Sequence, residues 1–270
     1  MPRNCQPKCE KMKRQVKWIL PLTCIILIEV IKYFPAFIEE YYSQTIYPPM
    51  ARAFRIALGW IPFSIGDVMV ALLIIWVLVG LANFIKGSRK QPFKQVLLVT
   101  LKKIALRGLW IYIAFFALWG LNYYRQGSTH LLNLQTEPYT VADVDTLMHH
   151  IQIKLEYACL DSLLVENSKT SDRIKLATEA KDAYNAASHQ YSFLKFENSS
   201  IKPILLGKLQ AYAGYAGYIF PFTGEAQADF YVPNFTLPFT VCHEMAHQIG
   251  FGAESEANLV GFLAARESKN

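Results

Sequence analysis

Three stretches of this chain are too uniformly apolar to form one face of a soluble amphipathic helix. They run from Trp18 to Phe37, from Val68 to Ile85 and from Ile104 to Tyr123. Each is close to the roughly 20 residues that cross a bilayer core. The second carries no charge and the third only Arg107 near its start. In the first, Glu29 and Lys32 lie three apart and can pair on one face, with Lys32 snorkelling towards an interface. The pattern predicts three spans, at about 18–37, 68–85 and 104–123. A cleavable signal peptide needs a shorter apolar core and a convincing small-x-small site after Phe37, so the first is read as an uncleaved helix. Between the first two spans, 39–67 is dense in Tyr and Pro and ends in Trp60-Ile61-Pro62-Phe63-Ser64, a composition suited to a membrane interface. Residues 56–62 are expected to dip in or lie flat.

After Tyr124 the pattern changes. Residues 136–187 are polar with helical spacing. A first helix begins behind Thr140 as N-cap, with Val144, Leu147, Ile151 and Leu155 on one face, and a second covers 171–187. Both are expected to pack as scaffold. Residues 198–207 read as a loop, and Tyr212 to Tyr218 alternates small and aromatic residues as an extended segment would. Gln227 to Val232 reads as a short strand. At a sheet edge it would either hold an extended peptide or merely cover the helix that follows.

Composition supports the membrane reading: of 270 residues, 53% are hydrophobic and only 18% charged. The net charge of +6 does not indicate a nucleic-acid partner, because the basic residues gather beside apolar runs instead of forming an aromatic-laced patch. Arg3, Lys8, Lys11, Lys13, Arg14 and Lys17 precede the first run; Lys86, Arg89, Lys90, Lys94, Lys102 and Lys103 separate the second from the third. Both clusters then face the cytoplasm, against a mild dissent from Arg52 and Arg55. The chain divides into a basic cytoplasmic tail (1–17), a membrane domain (18–123) and an extracytoplasmic domain (124–270). Of the cysteines, Cys5 and Cys9 fall in the tail and Cys24 in a span. Cys159 and Cys242 are the pair left outside for a disulfide, although Cys242 reads better as a small buried residue.

The chemistry concentrates in Thr240 to Asn258. His243-Glu244-x-x-His247 places two imidazoles four residues apart, on one face of a helix, where they can share a cation. Glu244 lies beside them as a base for water. Nitrogen ligands plus a carboxylate suit Zn²⁺, which needs a third protein ligand and keeps one open position. Gly250 is placed to end the helix in a left-handed conformation. Past that turn, both Glu254 and Glu256 are in reach as the third ligand. Tyr215, Tyr218 and Tyr231 are candidate donors to an oxyanion. Adjacent His149 and His150 face different sides of a helix, and His130 and His189 stand alone; none is read as a ligand.

His243-Glu244-Met245-Ala246-His247-Gln248-Ile249-Gly250 followed by Glu254-x-Glu256-Ala257-Asn258 resembles the Glu-ligand zincin metallopeptidases. It is most similar to a bacterial family of three-span membrane proteins carrying that signature. The likeness extends through Ile61 to Asp67, Asn122 to Arg125, Pro221 to Glu225 and Leu237 to Thr240. It implies a mainly α chain in which three transmembrane helices precede an extracytoplasmic α+β zincin-like domain, multi-pass in a bacterial inner membrane. It implies Glu254 as third ligand, three residues before Ala257-Asn258, and a C-terminus shortened relative to the family. The expected function is a zinc-dependent peptidase acting on polypeptides, with the lipid bilayer as its other partner. The alternative is a non-catalytic membrane scaffold or sensor whose metal only staples the last two helices together.

Overall fold

The computed structural model describes residues 6–135, 137–162, 173–195, 197–233 and 235–268. The architecture is mainly helical, with one small sheet. Helix α1 (Gln6–Ile31) tolerates Pro21 in its interior. It stops at Ile31 rather than Phe37; Phe34, which precedes a proline, lies outside the helical region (φ −120°, ψ 71°). The chain then turns by 101° into a second helical arm made of α2 (Pro35–Phe37), π-helical turns over Ile38–Ile46, and α3 (Tyr47–Leu58). Residues 56–58, expected to dip or lie flat, are the end of this crosswise arm.

Helix α4 (Ile65–Ser88) begins at Ser64, whose hydroxyl accepts the Asp67 N–H as an N-cap. Its apolar residues are solvent-facing all round, and it is long and apolar enough to cross a membrane. A second span results if the bent pair Val16–Ile31 and Pro35–Leu58 counts as one. Helix α5 (Phe93–Leu118) starts well before the predicted third run and ends before Trp119, where a 3₁₀ turn covers Gly120–Tyr124. Lys94, Lys102, Lys103 and Arg107 all lie within α5, which packs against both α1 and α4.

The 3₁₀ turn is locked to the crosswise arm by a buried ion pair. Arg125 donates to both carboxylate oxygens of Glu39, at 2.8 and 2.5 Å, with each side chain 4% exposed. Removing one partner strands the other charge in a dry environment, which typically costs about 3–5 kcal/mol. Glu39→Gln is therefore expected to lower unfolding stability by that order in denaturant titrations, and Glu40→Gln, next to it and exposed, to change little.

Beyond α6 (Gly127–Leu131), helix α7 (Val141–Ser162) is capped as predicted, since the Thr140 hydroxyl accepts the Asp143 N–H and Asp143 accepts from Thr140 in return. It does not pack as scaffold: every side chain from 141 to 157 is exposed, Val144, Leu147, Ile151 and Leu155 included. Helix α8 (Arg173–Ser188) does, burying Leu176, Ala180 and Tyr184. The predicted loop at 198–207 contains strand β1 (Ile201–Pro203) and the start of a short helix, α9 (Gly207–Tyr212). Strands β2 (Gly217–Phe220) and β3 (Glu225–Ala228) complete a sheet of order β1-β3-β2, with β1 parallel and β2 antiparallel to β3. The strand expected over 227–232 thus starts and ends earlier and lies in the centre of the sheet; the edges belong to β1 and β2. Helices α10 (Leu237–Gln248) and α11 (Glu254–Ala265) close the core with α8, through Val241, Met245, Val260 and Leu263. Cys242 is a free thiol in this core, which burial pushes up to about 12. Its proposed partner Cys159 has a side chain outside the described residues, as do Cys5 and the side chain of Cys9.

The sheet grips the apolar helices at their ends. Glu225, fully buried, accepts the N–H of Gly66 at 2.9 Å and of Ile65 at 3.4 Å, so a carboxylate sits on the positive end of α4. Lys202 donates to the carbonyls of Leu58, Gly59 and Ile61 where α3 ends.

Candidate metal centre

Pro238 sits in the first turn of α10, where its missing N–H is not needed. At the other end Gly250 takes φ +96°. Its N–H bonds the His247 carbonyl and that of Phe251 bonds the Ala246 carbonyl, the paired bonds of a Schellman ending. The last carbonyls of the helix are also capped from a distance. Trp119 donates its indole N–H to the His247 carbonyl at 3.1 Å; Tyr47 and Arg55 donate to Gln248, at 3.0 and 3.1 Å; Arg125 reaches Gly250 at 3.0 Å. Two guanidinium groups therefore stand at the negative end of the helix. The helix that carries His243 and His247 is held by residues far earlier in the chain.

The reversal at Gly250 returns α11 alongside α10. Close approach is possible because Gly261 lies against His243: a Cβ there would stand 3.0 Å from the His243 backbone. This brings Glu254 across the two imidazoles, with Oε2 3.1 Å from His243 Nε2 and Oε1 3.5 Å from His247 Nε2. The three donor atoms lie within 4.8 Å of one another. His247 Nδ1 is 2.6 Å from the Phe251 carbonyl. As the donor in that contact, Nδ1 carries the proton and Nε2 keeps its lone pair. Burial also holds the His247 pKa below its ordinary value, favouring neutral imidazole. These residues fit a divalent cation by donor type, convergence and tautomer.

Glu256 points elsewhere. It accepts the Ser128 N–H at 3.1 Å, and a Cβ on Gly127, which has φ +80°, would fall 1.6 Å from its Oε1. Of the two carboxylates left open by spacing, only Glu254 joins the imidazoles.

Glu244 is 4% exposed, and its Oε2 has no hydrogen-bond partner among the described residues. Burial first, and the Glu254 charge second, push its carboxyl up to about 8. The carboxylate lies against Gly217 on the edge strand, where a Cβ would come within 2.4 Å of Oε1. A cleft of about 560 Å³ opens over these groups, lined by Trp119, Tyr123 and Tyr215 to Ile219 among others. Of the three candidate tyrosines, Tyr215 and Tyr218 line it and Tyr231 does not. The Tyr218 hydroxyl is engaged with Asp67.

A family described as proteins of unknown function, DUF3810, matches residues 42–270. The chain belongs to this family. No curated protein and no solved structure matches it. The match begins inside the crosswise arm and so takes in Tyr47, Arg55, Trp119 and Arg125 together with α10 and α11. Those four capping residues escape a reading of spacing, since they serve α10 from 125 to 201 positions away. Arg125 alone lies in a segment, Asn122 to Arg125, that sequence comparison singles out.

Proposed function

We propose that this protein is a membrane-anchored, zinc-dependent peptidase, with His243, His247 and Glu254 as metal ligands and Glu244 as the general base. The observation that carries the reading is the convergence of two Nε2 atoms and one carboxylate beside the buried Glu244, whose Oε2 has no partner among the described residues, in an open cleft. Such a cation, when bound, would polarise the scissile carbonyl and acidify water. Its positive charge would also favour the ionised form of Glu244. Glu244 would take the proton of the attacking water and return it to the departing amine nitrogen. The substrate polypeptide would lie along β2, the sheet edge that lines the cleft, pairing its backbone with the strand.

Topology follows the same reading. Helices α1, α4 and α5 would form three spans, with the basic tail and the 86–103 cluster in the cytoplasm and the metal site outside. Supporting this, α5 packs between the other two, and the metal-bearing domain grips the ends of α3, α4 and α5 remote from the Lys86–Lys90 turn. The test of function is metal analysis of the purified protein together with peptide cleavage before and after chelation. About one zinc per chain and chelator-sensitive cleavage are expected; absence of both would end the proposal. A smaller change probes the edge strand. Gly217→Ala should leave metal content unchanged and reduce cleavage about tenfold or more, because the new methyl would meet both the Glu244 carboxylate and, at 2.8 Å, the Gln227 carbonyl of β3, so that Glu244 and the strand edge must shift.

A further inference from the structure

Around the cleft, several large apolar side chains are exposed on one short segment. Leu205, Leu206, Leu209, Tyr212 and Tyr215 are 61% to 93% exposed, across α9 and its flanks. Isolated exposed leucines are unremarkable, but five large apolar residues within eleven positions form a patch that a soluble surface rarely offers. The height of this patch in the molecule is fixed. The Leu205 N–H donates to Asp67 at 2.8 Å, and Tyr218, just past the segment, donates to the same carboxylate. Asp67 lies in the first turn of α4, the most apolar helix of the chain. Trp60 and Phe63, immediately before α4 in the chain, are exposed too, by 79% and 51%. The patch therefore lies where a bilayer holding α4 would have its surface, the depth that aromatic and aliphatic side chains favour.

We infer that the segment from Leu205 to Tyr215 is a second membrane contact, an in-plane foot that rests in the bilayer surface beside α4. Its consequence for the proposed peptidase, on whose correctness this step rests, is the class of substrate. The foot runs directly into β2, and Tyr215 itself lines the cleft. The end of α5 and the turn after it also line the cleft, through Phe115 and Trp119. A cleft lined by the foot and by the end of a spanning helix receives polypeptide emerging from the same bilayer, with its scissile bond close to its anchor.

The contact is testable without activity. In full-length protein reconstituted in phosphatidylcholine–phosphatidylglycerol nanodiscs, an environment-sensitive fluorophore on Leu209→Cys should emit at shorter wavelength and be quenched by lipids carrying a quencher near the headgroup. A label on Ile74→Cys, in the middle of α4, reports the membrane reading itself. Water-like emission at 209 with a lipid-embedded signal at 74 overturns the foot alone; water-like emission at both overturns the membrane reading beneath it. For substrate class, one peptide sequence is compared free and tethered to a transmembrane anchor through spacers of increasing length. Cleavage should be confined to tethered peptide and decline as the spacer grows. Equal cleavage of free peptide, with zinc bound, overturns the substrate inference while sparing the peptidase.

Discussion

Glu244→Gln is expected to keep the metal and abolish cleavage. The carboxylate belongs to none of the three converging donors, so its loss leaves the ligand set intact. Gln is close to isosteric and fits the same space against Gly217, so folding should survive. What it cannot do is accept a proton. General-base contributions are worth roughly 10²–10⁴-fold in rate, and cleavage should fall by at least that factor with zinc content unchanged. The wild-type residue is already strained as an anion in the absence of a cation, since burial pushes it up to about 8. Replacing it with a neutral amide should therefore make the metal-free protein no less stable. Undiminished cleavage by Glu244→Gln would exclude the base role, and a silent substitution in a zinc-loaded protein would favour the alternative of a structural staple joining α10 to α11.

His247→Ala is expected to remove the metal. Its ring is buried, oriented by the Phe251 carbonyl and presents Nε2 to the Glu254 carboxylate. Loss of a hydrogen-bond partner behind a ligand typically costs about 10–100-fold in metal affinity, and loss of the ligand itself should cost more. Zinc analysis after dialysis should give one equivalent for wild type and next to none for the variant. Thermal unfolding supplies an independent readout. A ligand at about 100 times its Kd stabilises by about 2.7 kcal/mol, so added zinc should raise the wild-type transition and leave the variant in place. Zinc retained at the wild-type level in His247→Ala would rule out the site as drawn.

Much of the site could be read directly from residue spacing. The four-residue interval between His243 and His247, the left-handed Gly250 and the acidic start of α11 are local features, fixed by helical periodicity and by the φ that only glycine adopts without strain. The choice between Glu254 and Glu256 was not local. It depends on Ser128 and Gly127, whose backbone draws Glu256 away. The edge of the sheet was misplaced for a similar reason: QADFYV carries the composition of a strand, but which strand lies outermost is decided by pairing with residues 201–203 and 217–220. The amphipathic pattern of α7 predicted packing that the fold leaves unmade, because periodicity shows that a helix has an apolar face and says nothing about what meets it.

Local pattern was enough for the apolar runs, the two imidazoles, the carboxylate beside them and the turn after them, because each is set by neighbours within a few residues. The tertiary structure decided what holds them. Trp119, Tyr47, Arg55 and Arg125 cap the α10 carbonyls, while Glu225 and Lys202 bind the sheet to the ends of α4 and α3. These are long-range hydrogen bonds from buried polar groups, most of which find a partner somewhere in the fold. Which partner each finds depends on how the chain closes in space, and no local pattern carries that information.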